Sequence, residues 1–229
     1  MRIGGLQKFS LIDYPGKTCA IIFTQGCNFC CRYCHNPELV LPNQYTEPIP
    51  EKKIIQFLTS RQGQLDAVTI TGGEPTLHSD LIAFIKQVKN LGFLIKLDSN
   101  GTNAQVIQQL IEQKLVDYLA MDIKAPLEKY EKIVGSAVSV EKIKTSINLI
   151  INSGINHEFR TTIVKSLTSF DDLTQIAQTI TGAKQYFLQR FIPSKLIDDK
   201  LVTEESYTQQ ELEKLAKKLK KYVKNCGVR

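Results

Sequence analysis

Residues 19–36 read CAIIFTQGCNFCCRYCHN: an apolar run, Cys19–Thr24, and directly behind it four cysteines, Cys27, Cys30, Cys31 and Cys34, within eight residues. Thiolates this dense call for a soft metal, either zinc or an iron–sulfur cluster. Cys27, Cys31 and Cys34 stand at the spacing C-x3-C-x2-C. Three thiolates leave a [4Fe–4S] cube one ligand short, and an iron with an open position can hold a substrate or cofactor. A zinc knuckle is the rival, since Cys27-x-x-Cys30 and Cys31-x-x-Cys34 each have zinc-ligand spacing. Zinc ribbons, however, set two such pairs roughly 15–20 residues apart. Here the pairs abut, and His35, His78 and His157 are scattered. Cys30 is either the fourth ligand of a closed electron-transfer cluster or a residue facing away. Adjacent cysteines seldom reach two corners of one cube, which favours the second reading. Tyr33, between the last two ligands, is expected to lay its ring along the cluster edge, where an apolar face can hold a flat base.

Outward from this stretch the chain alternates short apolar runs with amphipathic helical patterns. The expected strands are Cys19–Thr24, Ala67–Thr71, Phe93–Leu97, Tyr118–Asp122, Glu158–Val164 and Tyr186–Phe191, nearly continuous in apolar residues as strands covered on both faces are. Helices between them have legible ends: Pro50, Ser79, Asn103 and Ser139 as start signals, Gly92 and Gly154 as stops, and capping-box spacing at Ser169–Asp172 and Thr208–Glu211. Strict alternation predicts a parallel sheet with right-handed crossovers. Six units fall short of the eight of a closed barrel. The expected fold is therefore α/β, a partial (β/α)6 barrel, with a flat doubly wound sheet as the alternative. In either, chemistry belongs at the carboxyl ends of the strands. The cysteines, Gly72-Gly73-Glu74, Asp98-Ser99-Asn100 and Asp122-Ile123-Lys124 all fall there.

The 229 residues, 42% hydrophobic, suffice for one domain over 1–229 with a core of its own, so the cysteines are not needed as staples. Neither a signal peptide nor a membrane span is apparent, and the expectation is a cytoplasmic protein with reduced thiols. The net charge of +6 is concentrated in a C-terminal amphipathic helix, about 208–224. Its lysines face away from an apolar stripe, as on a solvated helix. They imply no nucleic-acid partner.

With these motifs in place, the chain resembles the radical S-adenosylmethionine (SAM) enzymes, whose signature is C-x3-C-x2-C with an aromatic before the last cysteine. The segments GGLQKFSLIDYPGK, CHNP, TGGEPTL and MDIKAP resemble the activating proteins of anaerobic ribonucleoside-triphosphate reductase, which belong to the glycyl-radical-enzyme activases. The resemblance implies a [4Fe–4S] cluster on Cys27, Cys31 and Cys34. It also implies SAM held by Gly72, Gly73 and Glu74 at its ammonium, by Asp98, by Asp122 at the ribose, and by Lys124 at the carboxylate. A monovalent cation at Asp98, Ser99 and Asp122 is a further candidate. Arg160, charged amid apolar neighbours, needs an anion, either a core carboxylate or that of SAM. A histidine that some activases carry at the sixth strand end is missing, where Gln189 and Arg190 stand. The implied activity is reductive cleavage of SAM to methionine and a 5′-deoxyadenosyl radical, which takes hydrogen from a glycine of the reductase. The implied electron source is a flavodoxin- or ferredoxin-type protein. The alternatives are a radical SAM enzyme acting on a small purine-like metabolite and, outside enzymes, an iron–sulfur electron carrier.

Overall fold

The structure is a computed structural model describing all of residues 1–229. Its strands are β1 (Ile3–Ser10), β2 (Cys19–Thr24), β3 (Ala67–Gly72), β4 (Leu94–Ser99), β5 (Tyr118–Asp122), β6 (Asn156–Ile163), β7 (Gln185–Arg190) and β8 (Asn225–Val228). Its helices are α1 (Pro37–Val40), α2 (Glu51–Thr59), α3 (Leu81–Asn90), α4 (Ala104–Glu112), α5 (Tyr130–Val134), α6 (Val140–Asn152), α7 (Phe170–Thr179) and α8 (Gln209–Leu219).

The strands form one eight-stranded sheet in sequential order, β1 to β8. Only β1 runs antiparallel to its neighbour; β2 to β8 are parallel throughout. β1 and β8 stand at opposite edges, so the sheet curves as a partial barrel and does not close. The expected six strands are all present, and two more flank them. Their character explains why they escape a reading for apolar runs. β1 (IGGLQKFS) carries two glycines and leaves Gln7, Lys8 and Phe9 exposed, as an edge strand can. β8 is four residues long and begins just past the helix expected over about 208–224; α8 itself ends earlier, at Leu219.

The helices bury one face each against the outside of the sheet. Leu81, Phe84, Ile85 and Val88 do so from α3, and Leu212, Ala216 and Leu219 from α8. Capping boxes are formed at Ser169–Asp172 and Thr208–Glu211, and Asn103 caps α4. Ser139 precedes α6 without a side-chain cap bond, and Asp80, not Ser79, stands at the start of α3. The exposed lysines of α8 lie opposite its buried stripe, and Lys218 caps the ring of Phe170 at 4.9 Å. No helix is long and apolar enough to cross a membrane.

Candidate active site

Two loops, at the carboxyl ends of β2 and β3, are stitched together through their backbones. The Gly73 N–H donates to Thr24 O (2.8 Å), the Glu74 N–H to Gly26 O (2.7 Å) and the Gly26 N–H to Leu39 O (2.8 Å). This closeness dictates the two glycines. Gly72 has φ +117°, and a Cβ there would lie 2.4 Å from Thr24 N; one on Gly73 would lie 2.1 Å from Gly26 O. The Gly-Gly pair thus seats the start of the cysteine loop. Farther along, the Cys30 N–H donates to Val134 O of α5 (2.8 Å), and the Cys34 N–H turns back to Cys31 O (2.9 Å).

A cavity of about 250 Å³ opens above these loops. Cys27, Cys31 and Cys34 line it together with Tyr33, Gly72, Gly73 and Glu74. Asp98, Asp122, Lys124 and Arg160 line its charged side, so the three expected cluster ligands and the expected SAM contacts reach one space. Cys30 does not line it. Gln189, expected to border the site with Arg190, lines it and Arg190 does not; Asn100, His35, Asn36 and Thr162 line it without a role read from the sequence. Asn100 lies within the strand-end run Asp98-Ser99-Asn100, a position that pointed to it. His35 adjoins the last cysteine and hands its Nε2 to Ile192 O at 3.0 Å, so it serves the loop after β7.

All of the cysteines are free thiols. Burial pushes Cys27 up to about 12 and Cys31 up to about 11, the latter opposed by the Lys124 charge, and burial raises Cys34 too. Ligation must remove these protons, and a bound cluster supplies the positive charge that does so. The donor set fits a cluster better than a single ion. Cys27, Cys31 and Cys34 stand around one cavity as three thiolate donors, the set that a [4Fe–4S] cube with one open iron takes. The Tyr33 hydroxyl, buried in the cavity wall, has no partner.

The floor is a chain of alternating charges. The Arg160 Nε donates to Asp122 Oδ1 at 2.7 Å and its Nη1 to Asp98 Oδ2 at 2.9 Å. Lys124 Nζ reaches Asp122 Oδ2 at 2.9 Å, and Lys96 pairs with Asp98. Burial alone would raise both aspartates, but Arg160, with Lys124 or Lys96, holds them below the usual carboxylate range. The anion that Arg160 needs is therefore a pair of core carboxylates. Their oxygens already face cations, and nothing in this arrangement speaks for a monovalent cation at Asp98, Ser99 and Asp122. Ser99 points the other way, its hydroxyl donating to Glu74 Oε1 at 2.8 Å.

Comparison with known proteins agrees with this architecture. The profile of the radical SAM superfamily matches residues 21–180. The chain belongs to the radical SAM superfamily. It is 36% identical, over 99% of its length and 95% of the relative's, to a Methanocaldococcus jannaschii protein named provisionally as a glycyl-radical enzyme activating enzyme. It is 27% identical to the pyruvate formate-lyase-activating enzyme of Clostridium pasteurianum, over 96% and 97% of the two chains. Within the superfamily its place is with the glycyl-radical activases. Among solved structures, Streptococcus suis SuiB bound to S-adenosylmethionine superposes with a TM-score of 0.70 at 15% identity, over 91% of this chain and 49% of SuiB. That likeness concerns the fold. Membership implies a [4Fe–4S] cluster and SAM as cofactors.

Proposed function

We propose that this chain activates an anaerobic ribonucleoside-triphosphate reductase by generating a glycyl radical on it. The observation that carries the reading is that three free thiols, Cys27, Cys31 and Cys34, line one cavity that Cys30 does not line. The choice of reductase rests on the resemblance of GGLQKFSLIDYPGK, CHNP and MDIKAP, and the match along nearly the full length of an activase relative is in keeping with it. When bound, the reduced cluster and SAM supply a 5′-deoxyadenosyl radical able to abstract hydrogen from glycine.

Cys27, Cys31 and Cys34 are the cluster ligands. Lys124 spends one ammonium donor on Asp122 and keeps others for the carboxylate of SAM. The N–H groups of Gly73 and Glu74 are committed to Thr24 and Gly26, so what the glycine turn offers the SAM ammonium is carbonyl oxygen. Asp98 and Asp122 hold Arg160 and Lys124 in place, and Asp122 borders the ribose. The Tyr33 ring closes the cluster side of the cavity against water. The electron comes from a flavodoxin- or ferredoxin-type protein.

Anaerobic incubation with SAM, a reductant and a candidate reductase tests the assignment. The expected result is an EPR doublet on the reductase that is lost when its glycine is replaced. Consumption of SAM without a doublet on any such reductase would point instead to a small purine-like substrate.

A further inference from the structure

We propose that Asn100 is a positioning residue for the cluster, holding an amide N–H against the sulfur of Cys27; the inference rests on Cys27 being a cluster ligand. Asn100 follows β4 and is 6% exposed. Its Nδ2 donates to Asn28 Oδ1 at 2.9 Å and lies 3.9 Å from Cys27 Sγ, the outer limit for an N–H···S contact. The amide has two hydrogens, so both contacts can be made at once. Cys27 also receives the backbone N–H of Phe29 at 3.4 Å. Among the loop cysteines, Cys27 is the one that a side-chain donor approaches.

The amide's orientation is fixed from every side. Its Oδ1 accepts from Thr102 N (3.0 Å) and Thr102 Oγ1 (2.7 Å), which leaves the NH2 facing the cysteine loop. Asn28 Nδ2 donates to Thr102 Oγ1 (3.0 Å), closing a ring of polar contacts between the two loops. The Asn100 backbone N–H donates to Glu74 Oε2 at 2.6 Å. Behind it, Gly101 has φ +79°, its N–H donates to Ser99 Oγ, and its carbonyl accepts from Ser146 Oγ at 2.7 Å. The Glu74 carboxylate therefore reaches the cysteine loop through Asn100.

Donors to a ligand sulfur withdraw charge from an iron–sulfur cluster and stabilise its reduced form. Here the reduced form is the one that delivers the electron. The test compares wild type, Asn100→Ala and Asn100→Asp after anaerobic reconstitution, first by iron and sulfide content, then by EPR-monitored redox titration without SAM. We expect loaded clusters whose midpoint potential is lower in Asn100→Ala and lower still in Asn100→Asp, which places negative charge beside the sulfur. Loaded variants titrating at or above the wild-type potential overturn the proposal.

Should both variants fail to retain a cluster, Asn28→Ala decides. It frees the amide from its brace at an exposed position. A potential moved from the wild-type value in either direction supports the proposal, because the freed N–H either closes on the sulfur or leaves it, and a wild-type potential overturns it. A wild type that builds no cluster sinks the ligand assignment itself, and this inference with it.

Discussion

Glu74 is fully buried, and its carboxylate is met by Thr76 N, Thr76 Oγ1, Ser99 Oγ and Asn100 N. Burial raises its pKa and these donors work against that rise. A carboxylate so supplied is costly to alter even with no cofactor present, because a buried donor left unmatched forfeits its hydration. Glu74→Gln is therefore expected to lower the stability of the cofactor-free protein by about 1–3 kcal/mol, read from denaturant midpoints. Unchanged stability with weakened SAM binding would instead make Glu74 a direct ligand of the ammonium. The cysteines were legible at this scale because dense thiols have few uses. The partners of Glu74 were not, since Ser99 and Asn100 reach it from another strand end, and no spacing in TGGEPTL announces them.

Among elements, the crossovers β2 to β7 could be read from apolar runs and caps, whereas the two edge strands could not. Gly4 illustrates the reason in β1. A Cβ there would lie 2.6 Å from the Gln25 side chain and 2.7 Å from that of Leu39, so a residue that looks like a strand breaker is needed for packing. The β6–β7 pair also holds a titratable joint. His157 is 1% exposed, its Nδ1 pairs with Ile155 O at 3.0 Å, and its Nε2 accepts the Lys184 N–H at 3.1 Å. That last bond requires a neutral ring, and burial lowers the His157 pKa, helped by nearby lysines. On acidification the unfolded chain therefore takes up this proton first, near pH 6.5. Stability from this site is complete above that pH and falls below it, as pH approaches the depressed folded value. Denaturant midpoints of wild type are expected to drop more steeply from pH 7.5 to 5.5 than those of His157→Gln. Parallel pH profiles would contradict the assignment.

For the molecule as a whole, the open sheet and its cavity follow from a single arrangement. Parallel strands bring loops from distant parts of the sequence to one end, and the ion chain Lys96–Asp98–Arg160–Asp122–Lys124 ties β4, β5 and β6 beneath them. The location of the site at the strand ends was legible from topology alone. How the charges pair was not, because Arg160 chooses its partners across strands. The account stands on three cysteines anchoring a cube whose remaining iron is free for SAM. Its most direct test is 5′-deoxyadenosine formed from SAM and dithionite by anaerobically reconstituted wild type, Cys31→Ala and Cys30→Ala. The account predicts product from wild type and Cys30→Ala and none from Cys31→Ala; equal loss in both variants, or product from Cys31→Ala, would contradict it.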